Sequence, residues 1–178
     1  MSVRVGAVNL YNDEGAEDIA VSRVILHEDY STWTTINDIC LLHLAAEADF
    51  SSDNIGAIEL PAPGQEYDDD QRCTVCSWGS TQMMESRGDL RKVDVPVVSD
   101  DDCWDAYGQI SIVDSMMCAG YDGSSDSGLD FCQGASGSAL MCGTGLDGLM
   151  SWGYGCGSSY PSVYTQTSFF VDWIMDNM

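Results

Sequence analysis

A chain of 178 residues that is 44% hydrophobic, with five Trp and eight Tyr, has apolar mass for one sizeable core or two small packed halves, which excludes a disordered tail. Its 29 Asp and Glu against 6 Lys and Arg leave a formal net charge of -23, which argues against nucleic acid and membrane as partners, because nucleic acid and anionic lipid both require positive surface. Among eight Cys the only C-x-x-C is Cys73 with Cys76, without a second pair or a His cluster, so the cysteines read as extracellular disulfides rather than as a zinc or redox module.

Residues 1–15 lack the basic start and apolar run of a secretory leader, and no stretch is apolar enough to span a membrane, so the front of an extracellular chain is expected to be missing. Val3, Val5 and Ala7 alternate with polar residues as a strand, and Asn12-Asp13-Glu14-Gly15 reads as a turn. A second apolar run covers 21–26, followed by His27-Glu28-Asp29-Tyr30. In Asn37-Asp38-Ile39-Cys40-Leu41-Leu42-His43-Leu44 a carboxylate enters an apolar strand; it either caps that strand or is a buried acid that needs hydrogen-bond partners. Residues 56–60 run into a linker at Pro61-Ala62-Pro63-Gly64, and the acidic loop at 66–70 carries no chemistry.

The alternating Val93, Val95 and Val97 give a further strand. Ser99 stands as an N-cap before Asp100, Asp101 and Asp102, whose charges suit the first turn of a helix. In the stretch from Asp130 to Cys142, Ser136 lies between Gly134 and Gly137, small residues that permit a tight turn. A serine becomes a useful nucleophile on such a turn when a base and amide donors stand beside it. Phe169, Phe170, Trp173 and Ile174 share one face of a terminal helix that is expected to start at Ser168.

Taken together, these motifs resemble the trypsin-like (chymotrypsin-family) serine endopeptidases. The Ser136 segment is similar to the family's Asp-Ser-Cys-Gln-Gly-Asp-Ser-Gly-Gly-Pro, and residues 37–44 to its Asn-Asp-Ile-Ala-Leu-Leu-x-Leu. Residues 77–79 resemble Gly-Trp-Gly, 116–120 Met-Ile-Cys-Ala-Gly, 151–156 Ser-Trp-Gly-x-Gly-Cys, and 160–165 Tyr-Pro-Gly-Val-Tyr-Thr. The resemblance implies an all-β, trypsin-like double β-barrel. Its first barrel, in 1–60, is incomplete; a linker covers 61–72, the second barrel 73–166, and a C-terminal α-helix 167–178. It makes Ser136 the nucleophile and Asp38 the orienting acid, with the backbone N–H groups of Gly134 and Ser136 as the oxyanion hole. Asp130 then falls at the base of a pocket for Lys or Arg, Ser151, Trp152 and Gly153 form the substrate-binding strand, and Ser162 lines the pocket. The implied disulfides are Cys73–Cys142, Cys103–Cys118 and Cys132–Cys156, which leaves Cys40 and Cys76 as buried thiols or an extra bridge. Asn9, Glu14 and Glu17 fall in a loop that binds calcium in many trypsins, although Ala7 stands where a further carboxylate is common. No cofactor is implied.

Several positions depart from the family. Its catalytic histidine lies in a Thr-Ala-Ala-His-Cys segment that these 178 residues do not contain, and His27 and His43 align with non-catalytic positions. Ala135 replaces the acid that pairs with the amino terminus released on activation, Ser138 and Ala139 alter the Gly-Gly-Pro turn, Ser162 replaces a pocket glycine, and Phe131 is bulkier than usual. Two functions are therefore expected to compete. One is a serine endopeptidase, ancestrally cleaving after Lys or Arg and inactive as written. The other is a secreted, non-catalytic homologue that binds a protein or inhibitor through the old cleft. An acidic secreted calcium binder is a third. The expected partner is a protein or peptide substrate or inhibitor, and the chain is expected to be a monomer whose first barrel carries unpaired edges.

Overall fold

The computed structural model describes residues 1–11, 15–80, 88–108, 111–120, 134–154 and 160–178. The first half forms an antiparallel sheet of β1 (Ser2–Val5), β2 (Glu17–Leu26) and β3 (Cys40–Leu44), in that order. Between Val21 and Arg23 the register shifts, and the hydroxyl of Ser22 donates to the carbonyls of both His43 and Leu44. Such a bulge bends the strand. Leu26 pairs with Cys40 and Val24 with Leu42, which puts these four side chains on one face of the sheet. That face is open: Leu26 is 64% exposed, Val24 44% and Leu42 40%. The reading of Cys40 as a buried thiol is corrected here, because it lies exposed and unpaired on this uncovered face. Cys76, also unpaired, is half-buried, and burial pushes its thiol up from the usual range against the pull of Lys92.

The second half closes completely. Strands β4 (Arg72–Ser77), β5 (Arg91–Val98), β6 (Met116–Ala119), β7 (Ala139–Met141), β8 (Gly148–Trp152) and β9 (Ser162–Gln166) form an antiparallel barrel in the order β4-β5-β6-β9-β8-β7. Period-2 alternation drives it: Cys73, Val75 and Ser77 of β4 point inward, where Val95, Val97, Met117, Leu140 and Tyr164 complete a core that water does not reach. One disulfide, Cys73–Cys142, ties β4 to the residue after β7. A second, Cys103–Cys118, ties β6 to helix α1 (Asp100–Tyr107). That helix starts where the sequence places it, with the Ser99 hydroxyl accepting from the Asp102 amide at 3.2 Å.

The terminal helix begins later than expected. Residues Thr167–Phe170 form a 3-10 turn and α2 runs over Val171–Asn177. Ser168 makes no cap because its hydroxyl donates to the Gln65 carbonyl at 2.8 Å, fastening the linker instead. The linker is strapped down further by Gly64 N–H to the Ser168 carbonyl, Gln71 Nε2 to the Cys142 carbonyl, and Tyr67 Oη to Asp147 Oδ1 at 2.8 Å. Asp147 is only 3% exposed, and its Oδ2 accepts from the Cys142 amide at 2.6 Å. Burial and the Asp147 acceptor hold the Tyr67 hydroxyl well above the ordinary tyrosine pKa, so it stays a donor. Tyr67→Phe is expected to cost about 2 kcal/mol, the worth of a hydrogen bond to a charged group, read as a lowered urea midpoint at unchanged m.

The halves also meet at a short bridge between Asn9 and Asp89, with Leu10 N–H to the Gly88 carbonyl and Leu90 N–H to the Val8 carbonyl. Glycine is required at 88: its φ is +79°, and a Cβ there would lie 2.5 Å from the Tyr11 ring.

Candidate active site

Asp38 sits at the end of a tight loop that closes with Thr35 and Asn37 in the left-handed region, at φ of +54° and +58°. The Asn37 side chain donates to the Asp29 carbonyl at 3.1 Å and fixes that geometry. The loop presents Asp38 to the second barrel rather than to its own sheet. Its Oδ2 accepts from Ser151 Oγ at 2.7 Å, and its backbone carbonyl accepts from Thr165 Oγ1 at 2.9 Å. Ser151 reaches Asp38 because the β8–β9 register shifts between Met150 and Trp152, a bulge that re-aims the intervening side chain.

Ser136 is exposed at the centre of a turn. The Ala135 methyl before it is fully buried among Cys73, Val75, Leu140 and Tyr164 and anchors the turn in the barrel core. Gly134 and Gly137 both have φ of +81°, which glycine adopts without strain. Ser138 N–H donates to the Ala135 carbonyl at 2.9 Å and closes the turn. Gly137 N–H donates to the Met150 carbonyl at 2.7 Å, and Met150 N–H to the Ser138 carbonyl at 2.9 Å. One strand, β8, thus holds the Ser136 turn through Met150 and Asp38 through the next residue, Ser151. Ala139, in place of the turn proline, is the first residue of β7 and pairs with Cys76 and Leu149 on its two sides.

Ser162 is 7% exposed and pairs with Ala119 at the start of β9. Beside it lies an aromatic cluster that local pattern did not reveal. The Tyr107 ring stands 4.9 Å from Trp152, 5.4 Å from Tyr154 and 5.3 Å from Tyr160. Its hydroxyl donates to the Pro161 carbonyl and accepts from the Tyr154 amide. Gly153 fits against this group, with space for a Cβ 3.6 Å from both Ser162 Cα and the Tyr107 hydroxyl. Tyr154 and Tyr160 border a glycine-rich stretch and were visible as aromatics near the expected cleft. Tyr107 arrives from the end of α1, far off in sequence, where only its tyrosine type was a signal.

The contacts of both histidine rings lie elsewhere than at Ser136 and Asp38. His27 stacks on Trp173 at 4.9 Å, meets Phe170 edge-on at 5.3 Å, and accepts through Nδ1 from the Asp29 amide. His43 Nε2 lies 3.0 Å from the Asn177 carbonyl at the end of α2. Both therefore serve to dock the C-terminal segment.

Asp130, Phe131, Cys132 and Cys156 lie outside the described residues, as does Glu14 of the expected calcium loop. Asn9 uses its amide in the bridge between the halves, donating to Asp89 and accepting from the Tyr11 amide, while Glu17 opens β2 opposite Val5. Among the described residues no group of three or more His, Cys, Asp or Glu is arranged to hold a metal ion, and no helix is long and apolar enough to cross a membrane. An acidic cavity of about 500 Å³, lined by Glu66, Asp69, Asp100 and Asp114, opens elsewhere on the second half. Burial and the neighbouring Asp114 push the Asp100 carboxyl up.

Comparison with known proteins agrees with the double-barrel fold. A family model described as Trypsin matches residues 1–174. Trypsin-1 of Astacus astacus is 41% identical over 184 residues, spanning 99% of this chain and 75% of that protein. Trypsin of Squalus acanthias is 38% identical, spanning all of this chain and 76% of its own length. Trypsin-2 of Salmo salar is 37% identical with similar coverage, 100% and 75%.

Proposed function

We propose, from the premise that this chain belongs to the trypsin family of serine proteases, that it is part of an endopeptidase domain and that these 178 residues carry the family's acid and nucleophile, the base not lying among them. The observation that carries this is the shared strand: β8 holds Asp38 through Ser151 and the Ser136 turn through Met150, while both histidines are committed to the C-terminal segment. In this reading Asp38 is the orienting acid, Ser136 the nucleophile, and the Gly134 and Ser136 amides the oxyanion donors. Asp130 keeps an ancestral preference for Lys or Arg, in a pocket whose glycine has become Ser162. A histidine would have to come from outside these 178 residues for peptide cleavage to proceed. The disulfides Cys73–Cys142 and Cys103–Cys118 support an extracellular setting.

Ala135 favours the second reading, a secreted module that binds a protein or inhibitor without cutting it. Its methyl is sealed in apolar core where the resemblance has an acid, which leaves nothing there to answer a released amino terminus. A serine-directed fluorophosphonate tests both readings. The chain is expected to stay unlabelled, while a protease inhibitor with a Lys or Arg reactive loop binds it in calorimetric titration, equally well with Ser136→Ala. Stoichiometric labelling that Ser136→Ala abolishes would overturn the inactive reading, and absent inhibitor binding would overturn the second.

A further inference from the structure

We propose that Ser77 is a positioning residue for the Ser136 turn, acting through a hydroxyl pair with Ser138; this deepens, and rests on, the reading of Ser136 as the nucleophile. Ser138 Oγ donates to Ser77 Oγ at 2.8 Å, across 61 residues of chain, and the Gly79 amide donates to the same Ser77 oxygen at 2.9 Å. Ser77 is only 2% exposed, so its hydroxyl works where water does not compete. The backbone just past β4 also runs near the other flank of the turn: a Cβ on Gly134 would lie 3.7 Å from the Gly79 Cα. Thus the short segment from Ser77 to Gly79 bonds the turn at Ser138 and runs close beside it at Gly134.

Both serines stand where the family resemblance has glycine, at the head of Gly-Trp-Gly and within Gly-Gly-Pro. The two departures are one compensated change. Ser138 replaces a glycine by a hydroxyl that has a partner, and Ser77 supplies that partner from a position otherwise without a side chain. Through this link the orientation of the Gly134 and Ser136 amides depends on β4 as well as on β8.

The test is the amide NMR spectrum of the 178-residue chain with Ser77→Ala, with Ser138→Ala and with both. Each single change is expected to move the Gly134, Ser136 and Gly137 signals and to speed exchange at Gly137 roughly fivefold, as for the loss of one hydrogen bond. The double change should do no more than either single one, because both remove the same bond. Ser138→Thr keeps the hydroxyl and should keep the original signals. Single changes that disturb only their own neighbours and multiply in the double variant would overturn the proposal, as would a Ser138→Thr spectrum like that of Ser138→Ala. If Ser77→Ala does not fold, Ser138→Ala against Ser138→Thr decides alone, since position 138 is half-exposed. This readout needs no turnover: coupled amides in a chain that never takes the fluorophosphonate uphold the pair, whatever becomes of the endopeptidase reading.

Discussion

Hydrolysis of a Lys- or Arg-containing peptide amide by these 178 residues is expected to fall about a millionfold below that of a family enzyme with its base in place, by analogy with removal of the histidine from subtilisin. A serine hydroxyl attacks an amide only as its proton is taken, and the orienting acid does not take it. Asp38 is engaged by the Ser151 hydroxyl, and in the proposed reading its part is to orient an imidazole rather than to take the proton. Neither histidine is free to move in. His27 would have to leave its stack on Trp173 and its contact with Phe170, and His43 its bond at the end of α2. The measurement is the rate on a fluorogenic Arg substrate, with Ser136→Ala as background. The two rates should coincide, and His27→Ala and His43→Ala should leave them unchanged while lowering the unfolding midpoint. A rate that Ser136→Ala reduces a hundredfold or more would show a base that this assignment lacks.

Ala135→Asp, the change that restores the family residue, is expected to destabilise the chain by about 4 kcal/mol at pH 7, among the largest effects of any single substitution here. Two costs combine. The methyl is fully buried among packed side chains, so extra atoms force the core apart at about 1–3 kcal/mol, and an ionised carboxylate in apolar surroundings costs several more unless it takes up a proton. The sign with pH follows. Burial raises the folded-state pKa of the new acid above its unfolded value near 4, so the folded state holds the extra proton and stability falls as pH rises between the two values. Urea unfolding should therefore show a smaller difference from the parent near pH 4 than near pH 7. A difference that is constant with pH would mean the acid reaches water or a cation, and the sealed environment assigned to Ala135 would be wrong.

Much of this was visible in the chain. The alternating valines of β1 and β5 announced their strands, Ser99 with three following aspartates announced α1, and the order of motifs pointed to the family and to its double-barrel plan. Local pattern failed where one side chain had two uses. Ser168 has the residue type and place of a helix cap, yet the linker carbonyl of Gln65 claims its hydroxyl and the helix starts at Val171. Cys40 has the apolar neighbours of a buried thiol, but burial requires a covering layer, and among the described residues none covers the face of β3 that carries it. Tyr107 gave no local sign of its role, because what it holds together lies on other segments.

By itself the sequence determined the elements, the family, the acidic character and the shortage of histidines, because these depend on residue type, short spacing and count. Only the tertiary structure decided that Ser151 bonds Asp38 across 113 positions, that Ser138 finds Ser77 across 61, and that both histidines go to the C-terminal segment. Such contacts follow from barrel closure and strand register, which bring distant residues within hydrogen-bonding reach, and no local periodicity encodes them.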